Sequence, residues 1–171
     1  LGQAPFFVLV FLSIYNISRK LGASKQFSFW AAALTTVTPN YFKHLSIAYV
    51  DVMVAAWFLI ALNFLLNLSE RFDIKNVVLF GLSLGILIGT KTIALTYSFI
   101  LIIPFLYFLF KQKPGWPFIY LSVLFFICAT STGGFSYIRN FIQTGNPLYP
   151  LILKISDKVI FNGVMGKANF T

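Results

Sequence analysis

The chain has 171 residues, of which 58% are hydrophobic, 19% aromatic and only 10% charged, with a mean hydropathy of +0.85. A soluble domain carries about 25% charged residues; so little charge does not cover a globule in water, which leaves the bilayer as the natural solvent. The formal net charge of +9, from 13 Lys and Arg against 4 Asp and Glu, is spread in short runs between apolar blocks, the pattern that encodes membrane topology rather than the continuous basic face of a nucleic-acid binder.

The first apolar block covers 5–15 (PFFVLVFLSIY), short against the about 20 residues a span requires. It follows Leu1 rather than a Met, so the chain reads as a piece of a longer protein, and with no basic segment ahead of the block a signal peptide is not expected. A basic loop over 16–26 carries Arg19, Lys20 and Lys25. The second block, 27–38, closes on Pro39-Asn40, and a mixed stretch over 41–51 holds Lys43, His44 and Asp51. The third block is 52–68, followed by a charged loop over 69–76 with Glu70, Arg71, Asp73 and Lys75.

Residues 77–110 are apolar except for Thr90-Lys91-Thr92. As one helix they would extend roughly 50 Å at about 1.5 Å per residue, against a hydrocarbon core about 30 Å thick. The stretch is therefore expected to be a hairpin, 77–89 out and 92–110 back, with Lys91 at the turn. A loop over 111–115 brings Lys111 and Lys113, and the sixth block, 116–132, ends where the sequence turns polar at Gly133-Gly134. Cys128 lies inside that block as the lone cysteine, which allows no disulfide within the chain and suits a small packing residue. Phe6, Phe7, Trp57, Phe105 and Trp116 are expected against lipid or in the interfacial aromatic belt. The fold class is all-α, a polytopic transmembrane helical bundle over 1–150, with an extracytoplasmic tail over 151–171.

Charge counting assigns the sides. The loops at 16–26, 69–76 and 111–115 hold seven Lys and Arg, whereas the other side has Lys43, Lys91 and Arg139 before a tail that adds Lys154, Lys158 and Lys167. The first side is expected to be cytoplasmic. His44, Asp51, Lys91, Arg139, Asn140 and Asn146 then gather on the far side, where ionisable groups at such depths commonly face a cavity or a partner. Asp51 opens an apolar helix, so it either complements the positive helix N-terminus or lines a pocket as a metal ligand or electrostatic anchor. Lys91 either snorkels to the surface or offers its ammonium to a phosphate. Arg139 suits bidentate phosphate recognition or interfacial anchoring. His44 is either polar surface or, with Asp51, a ligand of a divalent metal.

Three stretches carry a resemblance: TPNYFKHLSIAYVDVMVAAWFLIAL, GLSLGILIGTKTIAL and YIRNFIQTGNPLYP. In this order and spacing, over about 35–150, they resemble the polytopic C-type glycosyltransferases that use lipid-phosphate sugar donors, a group that includes protein O-mannosyltransferases and aminoarabinose transferases of lipid A. The resemblance implies a many-helix membrane enzyme of a bacterial inner or plasma membrane with an extracytoplasmic site. Its donor is a sugar on polyprenyl or dolichyl phosphate, and its acceptor an unspecified lipid, glycan or protein. Asp51 matches the family's second acidic position, near the metal or acceptor site. Lys91 matches the basic residue at the donor phosphate, and Arg139, followed by Asn140, would lie near that phosphate. Asn146 and Tyr149, in Gly-Asn-Pro-x-Tyr-Pro, would bind substrate. The family's principal catalytic carboxylate lies in a first extracytoplasmic loop, ahead of this chain.

The chemistry stands without the family. Glycosyl transfer passes through an oxocarbenium-like state that a carboxylate stabilises, and the departing phosphate calls for cations. The rival readings are a transporter or flippase for an anionic lipid or small anion, with Asp51 as the coupling site, and a non-catalytic membrane anchor. The anchor reading predicts that Asp51, Lys91 and Arg139 do not converge.

Overall fold

The computed structural model describes residues 3–39, 41, 50–111, 116–155 and 158–164. In chain order these form α1 (Ala4–Lys20), α2 (Lys25–Val37), α3 (Asp51–Glu70), α4 (Ile74–Thr90), α5 (Ala94–Lys111) and α6 (Trp116–Thr144), then an antiparallel ribbon of β1 (Leu153–Ile155) and β2 (Lys158–Phe161). α3, α5 and α6 from Phe118 onward are long and apolar enough to cross a bilayer, and α4 is apolar but shorter. The chain is a helical membrane protein.

The connections are tighter than the sequence suggests, because the charged residues close the helices rather than forming loops. Arg19 and Lys20 lie in the last turn of α1, where cations meet the negative helix end. Ser24 caps α2 by accepting from the Phe27 amide at 3.3 Å, and Asp73 caps α4 through Oδ1, which accepts from the Asn76 amide at 2.8 Å. The expected hairpin is present: α4 ends at Thr90, and backbone bonds from Ala94 to Lys91 (2.9 Å) and from Leu95 to Thr92 (3.1 Å) turn the chain into α5.

In lipid, apolar helices gain little from excluding water, so they hold together by close contact and interhelical hydrogen bonds. The α4–α6 seam is built this way. A methyl at Gly85 would strike the Ala129 carbonyl and the Thr132 hydroxyl, and one at Gly133 would strike the Gly85 carbonyl. A methyl at Gly81 would stand 3.0 Å from the Cys128 Cβ, so Cys128 is the small packing residue its setting suggested. The Thr132 hydroxyl donates to the Leu82 carbonyl at 3.2 Å and the Tyr137 hydroxyl to the Ile88 carbonyl at 2.8 Å. Phe80 of α4, Phe105 of α5 and Phe125 of α6 meet with ring centroids 5.0, 5.6 and 4.4 Å apart. Phe105 is therefore not a lipid-facing residue: it is 1% exposed at the centre of this cluster.

The sixth apolar block does not end as its polarity implies. α6 continues through Gly133-Gly134 to Thr144, 29 residues, about 43 Å at roughly 1.5 Å per residue and longer than the about 30 Å hydrocarbon core. Glycine inside a helix ordinarily costs about 1 kcal/mol relative to alanine, but here Gly133 is the surface that lets α4 approach. α6 stops at Gly145, whose φ of 69° places it in the left-handed region and whose amide donates to the Phe141 carbonyl at 2.9 Å.

These contacts fix directions. Contacts along α4 and α6 ascend together, 81 with 125 and 128, 85 with 129 and 132, so the two helices are parallel. α3 and α5 run opposite to α4, since Lys91 at the end of α4 meets Asp51 at the start of α3 and the turn into α5 is tight. One end of the bundle thus carries Asp51, Lys91 and the end of α6, and the other carries Lys20, Glu70, Asp73 and Lys111.

Gly85→Ala and Gly133→Ala are each expected to destabilise the protein by about 1–3 kcal/mol, the usual cost of overpacking. Gly134→Ala, which meets the Thr130 side chain of its own helix, should cost less. Thermal unfolding in one detergent measures the order, and equal midpoints for all three variants would contradict the seam.

Candidate functional site

Asp51 is the first residue of α3 and Lys91 follows the last residue of α4. Each charge suits its helix end, a carboxylate at the positive N-terminus and an ammonium at the negative C-terminus. The N-cap position of α3 is Val50, which offers no side-chain cap. Asp51 Oδ1 accepts from Lys91 Nζ at 2.7 Å, closing an ion pair between antiparallel helix ends. Lys91 does not reach straight outward. Its stem lies between two recesses, and the pair remains about half exposed, with side chains 43% and 51% accessible for Lys91 and Asp51.

The first recess is about 580 Å³ and is floored by Val54, Ala55, Phe58, Ile93 and Tyr97, with Asp51 and Lys91 at its charged edge. The second is about 180 Å³ and more polar, between the α4–α5 turn and the end of α6, where Lys91, Thr90 and Thr92 face Ser136, Tyr137, Asn140 and Tyr149. The Lys91 ammonium has three donors, one of them engaged by Asp51. Lys91 therefore stands where an apolar slot meets a polar pocket.

Arg139 does not join this pair. Residues 136, 137 and 140 of α6 turn toward Lys91, and at about 100° per residue position 139 points elsewhere. Arg139 lines a shallow apolar groove with Phe135, Ile138, Ile142 and Gln143. The expected three-residue convergence is thus a two-residue one. Asn140 is at the second recess, where its Nδ2 donates to the Tyr149 carbonyl at 3.2 Å and holds the Tyr149-Pro150 segment, joined by a cis peptide bond, against α6.

Asn146 turns away from both recesses and into the chain that follows α6. It is 1% exposed, its Nδ2 donates to the Leu151 and Asn162 carbonyls at 2.7 and 2.9 Å, and its Oδ1 accepts from the Leu148 amide at 2.9 Å. Both amide protons and an oxygen lone pair are committed, so Asn146 ties the ribbon of the tail to the end of α6. His44 lies outside the described residues. Among those described, no group of three His, Cys, Asp or Glu is arranged to hold a metal. Hard divalent cations take several oxygen ligands; of these Asp51 supplies one carboxylate, with the Lys91 ammonium already on it.

Tyr137, Ser136 and Tyr97 join the site without any motif in the sequence to mark them. The signal for the first two was the spacing of 136, 137 and 140 on one helical face, legible only once α6 is carried past Gly134. Tyr97 sits among apolar residues and had no such signal.

The ion pair contributes little to folding, since exposed pairs are worth about 0.2–1 kcal/mol. A thermal-unfolding double-mutant cycle on Asp51→Asn and Lys91→Met is expected to return a coupling in that range; a coupling above about 3 kcal/mol, the scale of a buried pair, would mean that the recess is closed and dry. No protein-family model, curated protein or solved structure matches this chain.

Proposed function

We propose that the protein is a membrane glycosyltransferase that moves a sugar from a polyprenyl- or dolichyl-phosphate donor to an acceptor at the Asp51 end of the bundle. The observation that carries this reading is the position of Lys91 between an apolar slot and a polar pocket. A lipid-phosphate sugar has the same order of parts: an apolar chain, an anionic phosphate and a polar head. The chain lies along Val54, Phe58 and Ile93, the phosphate meets the two Lys91 protons left by Asp51, and the sugar turns toward Tyr137, Asn140 and Tyr149.

Transfer breaks the bond from the anomeric carbon to the phosphate oxygen and forms one to the acceptor oxygen, whose proton leaves to a base. Charge builds on the departing phosphate, and a fixed cation in a partly desolvated site stabilises it. Asp51 holds that cation in place and adds a carboxylate near the developing oxocarbenium charge. Arg139 faces another surface and has no part in this account, which rests on the pair and the two recesses.

The test is transfer from a labelled polyprenyl-phosphate sugar by membranes carrying the protein. Lys91→Ala is expected to lower kcat/KM about a hundredfold, the scale for losing one charge stabiliser of a transition state. Asp51→Asn should lose tens-fold and Arg139→Ala less than about threefold. A wild-type rate in Lys91→Ala overturns the assignment. Movement of intact donor across the bilayer without bond cleavage would favour the flippase instead.

A further inference from the structure

The opposite end of the bundle holds a second polar recess, independent of the transferase reading. A lysine at the end of a membrane helix ordinarily stretches outward so that its ammonium reaches water. Lys20 turns inward: its Nζ donates to the backbone carbonyl of Asn63 at 2.8 Å and to Asn63 Oδ1 at 2.6 Å. Asn63 lies about 10 Å along α3 from Glu70, at roughly 1.5 Å per residue, and its Nδ2 donates to the Ser13 carbonyl at 3.2 Å. Lys20 thus carries its charge away from the end of the bundle and onto α3. Among the described residues the ion pairs are Arg71–Asp73 and Lys91–Asp51; Lys20 belongs to neither, and the carboxylate that acts on it, Glu70, does so from beyond ion-pair distance.

The space around it is about 460 Å³, walled by Leu12, Ile60 and Phe64 and rimmed by Asn16, Asn67 and Lys20. α1 and α3 both run toward this end, so Leu12 and Ile60 lie deeper than the Asn63 carbonyl that Lys20 is bonded to, Phe64 stands beside that carbonyl, and Asn16 and Asn67 lie nearer the end. The order is that of a phospholipid: acyl chains inside, headgroup at the boundary. We propose that this recess binds the phosphodiester of an anionic phospholipid from the leaflet at the charged-loop end. Two asparagine amides and the remaining Lys20 proton are its donors. The Lys and Arg excess of the same end draws anionic lipid to that surface, and the deeper apolar walls favour a lipid over a free phosphate ion.

The test uses the protein in nanodiscs of equal phosphatidylglycerol and phosphatidylcholine, with co-purifying lipid counted by native mass spectrometry. Wild type is expected to retain phosphatidylglycerol about fivefold over phosphatidylcholine, the scale of one lysine at an anionic surface. Lys20→Gln and Asn67→Leu should bring the ratio near one, and Lys25→Gln should leave it unchanged. Equal retention by wild type overturns the proposal whether or not the variants fold, as does a preference that persists in Lys20→Gln. Millimolar inorganic phosphate should not displace the lipid; if it abolishes the preference, the site is one for a free anion and the lipid assignment fails.

Discussion

α4 is the shortest of the three helices that meet at Phe80, Phe105 and Phe125, and its shortness sets where Lys91 stands. Its 17 residues reach about 25 Å at roughly 1.5 Å per residue, less than the about 30 Å of the hydrocarbon core. A helix that short brings its C-terminal cation below the boundary unless its neighbours allow it to slide. They do not, because Gly85 and Gly133 meet backbone to backbone and the Tyr137 hydroxyl holds the Ile88 carbonyl at 2.8 Å. Lys91 is therefore held at the end of this seam beside the start of α3, where Asp51 meets it at 2.7 Å.

The same register builds the recesses. The turn from Lys91 into α5 leaves Ile93 and Tyr97 on one side of the lysine, facing Val54 and Phe58 of α3. On the other side the overlong α6 rises past the end of α4 and sets Tyr137 and Asn140 against the turn. Asn140 and Asn146 then fold the chain after α6 back upon it, the first through the Tyr149 carbonyl and the second through Leu151 and Asn162. A seam of small residues in one half of the molecule thus shapes a polar surface in the other, which is how a bundle with little hydrophobic drive between its helices specifies a site.

The bundle was legible in the sequence to the extent that the bilayer dictates it. The hairpin on Lys91 follows from length alone, and the gathering of Asp51, Lys91 and the end of α6 at one end agrees with the sides assigned from charge. What failed, failed where polarity stood in for geometry. Gly133-Gly134 is a polar break in the sequence, yet glycine in a membrane helix also serves as a contact surface, and the helix that continues through it carries Ser136, Tyr137 and Asn140 on one face. Arg139 and Lys91 are both cations near one boundary, but Arg139 adjoins Asn140 in sequence, and adjacent residues on a helix point apart, so only Asn140 reaches the Lys91 recess. The Asn146 amide satisfies the Leu151 and Asn162 carbonyls, and three helices converge on Phe105. Which side chains converge is set by helix rotation, and hydropathy does not encode that angle.

The most direct measurement is an experimental structure of the protein in nanodiscs with a polyprenyl phosphate bound. The account predicts the phosphate within hydrogen-bonding distance of Lys91 Nζ, with the lipid chain along Val54, Phe58 and Ile93 and the head side open toward Tyr137 and Asn140. A phosphate bound instead in the Arg139 groove, with the Lys91–Asp51 pair undisturbed and both recesses empty of lipid, would contradict it.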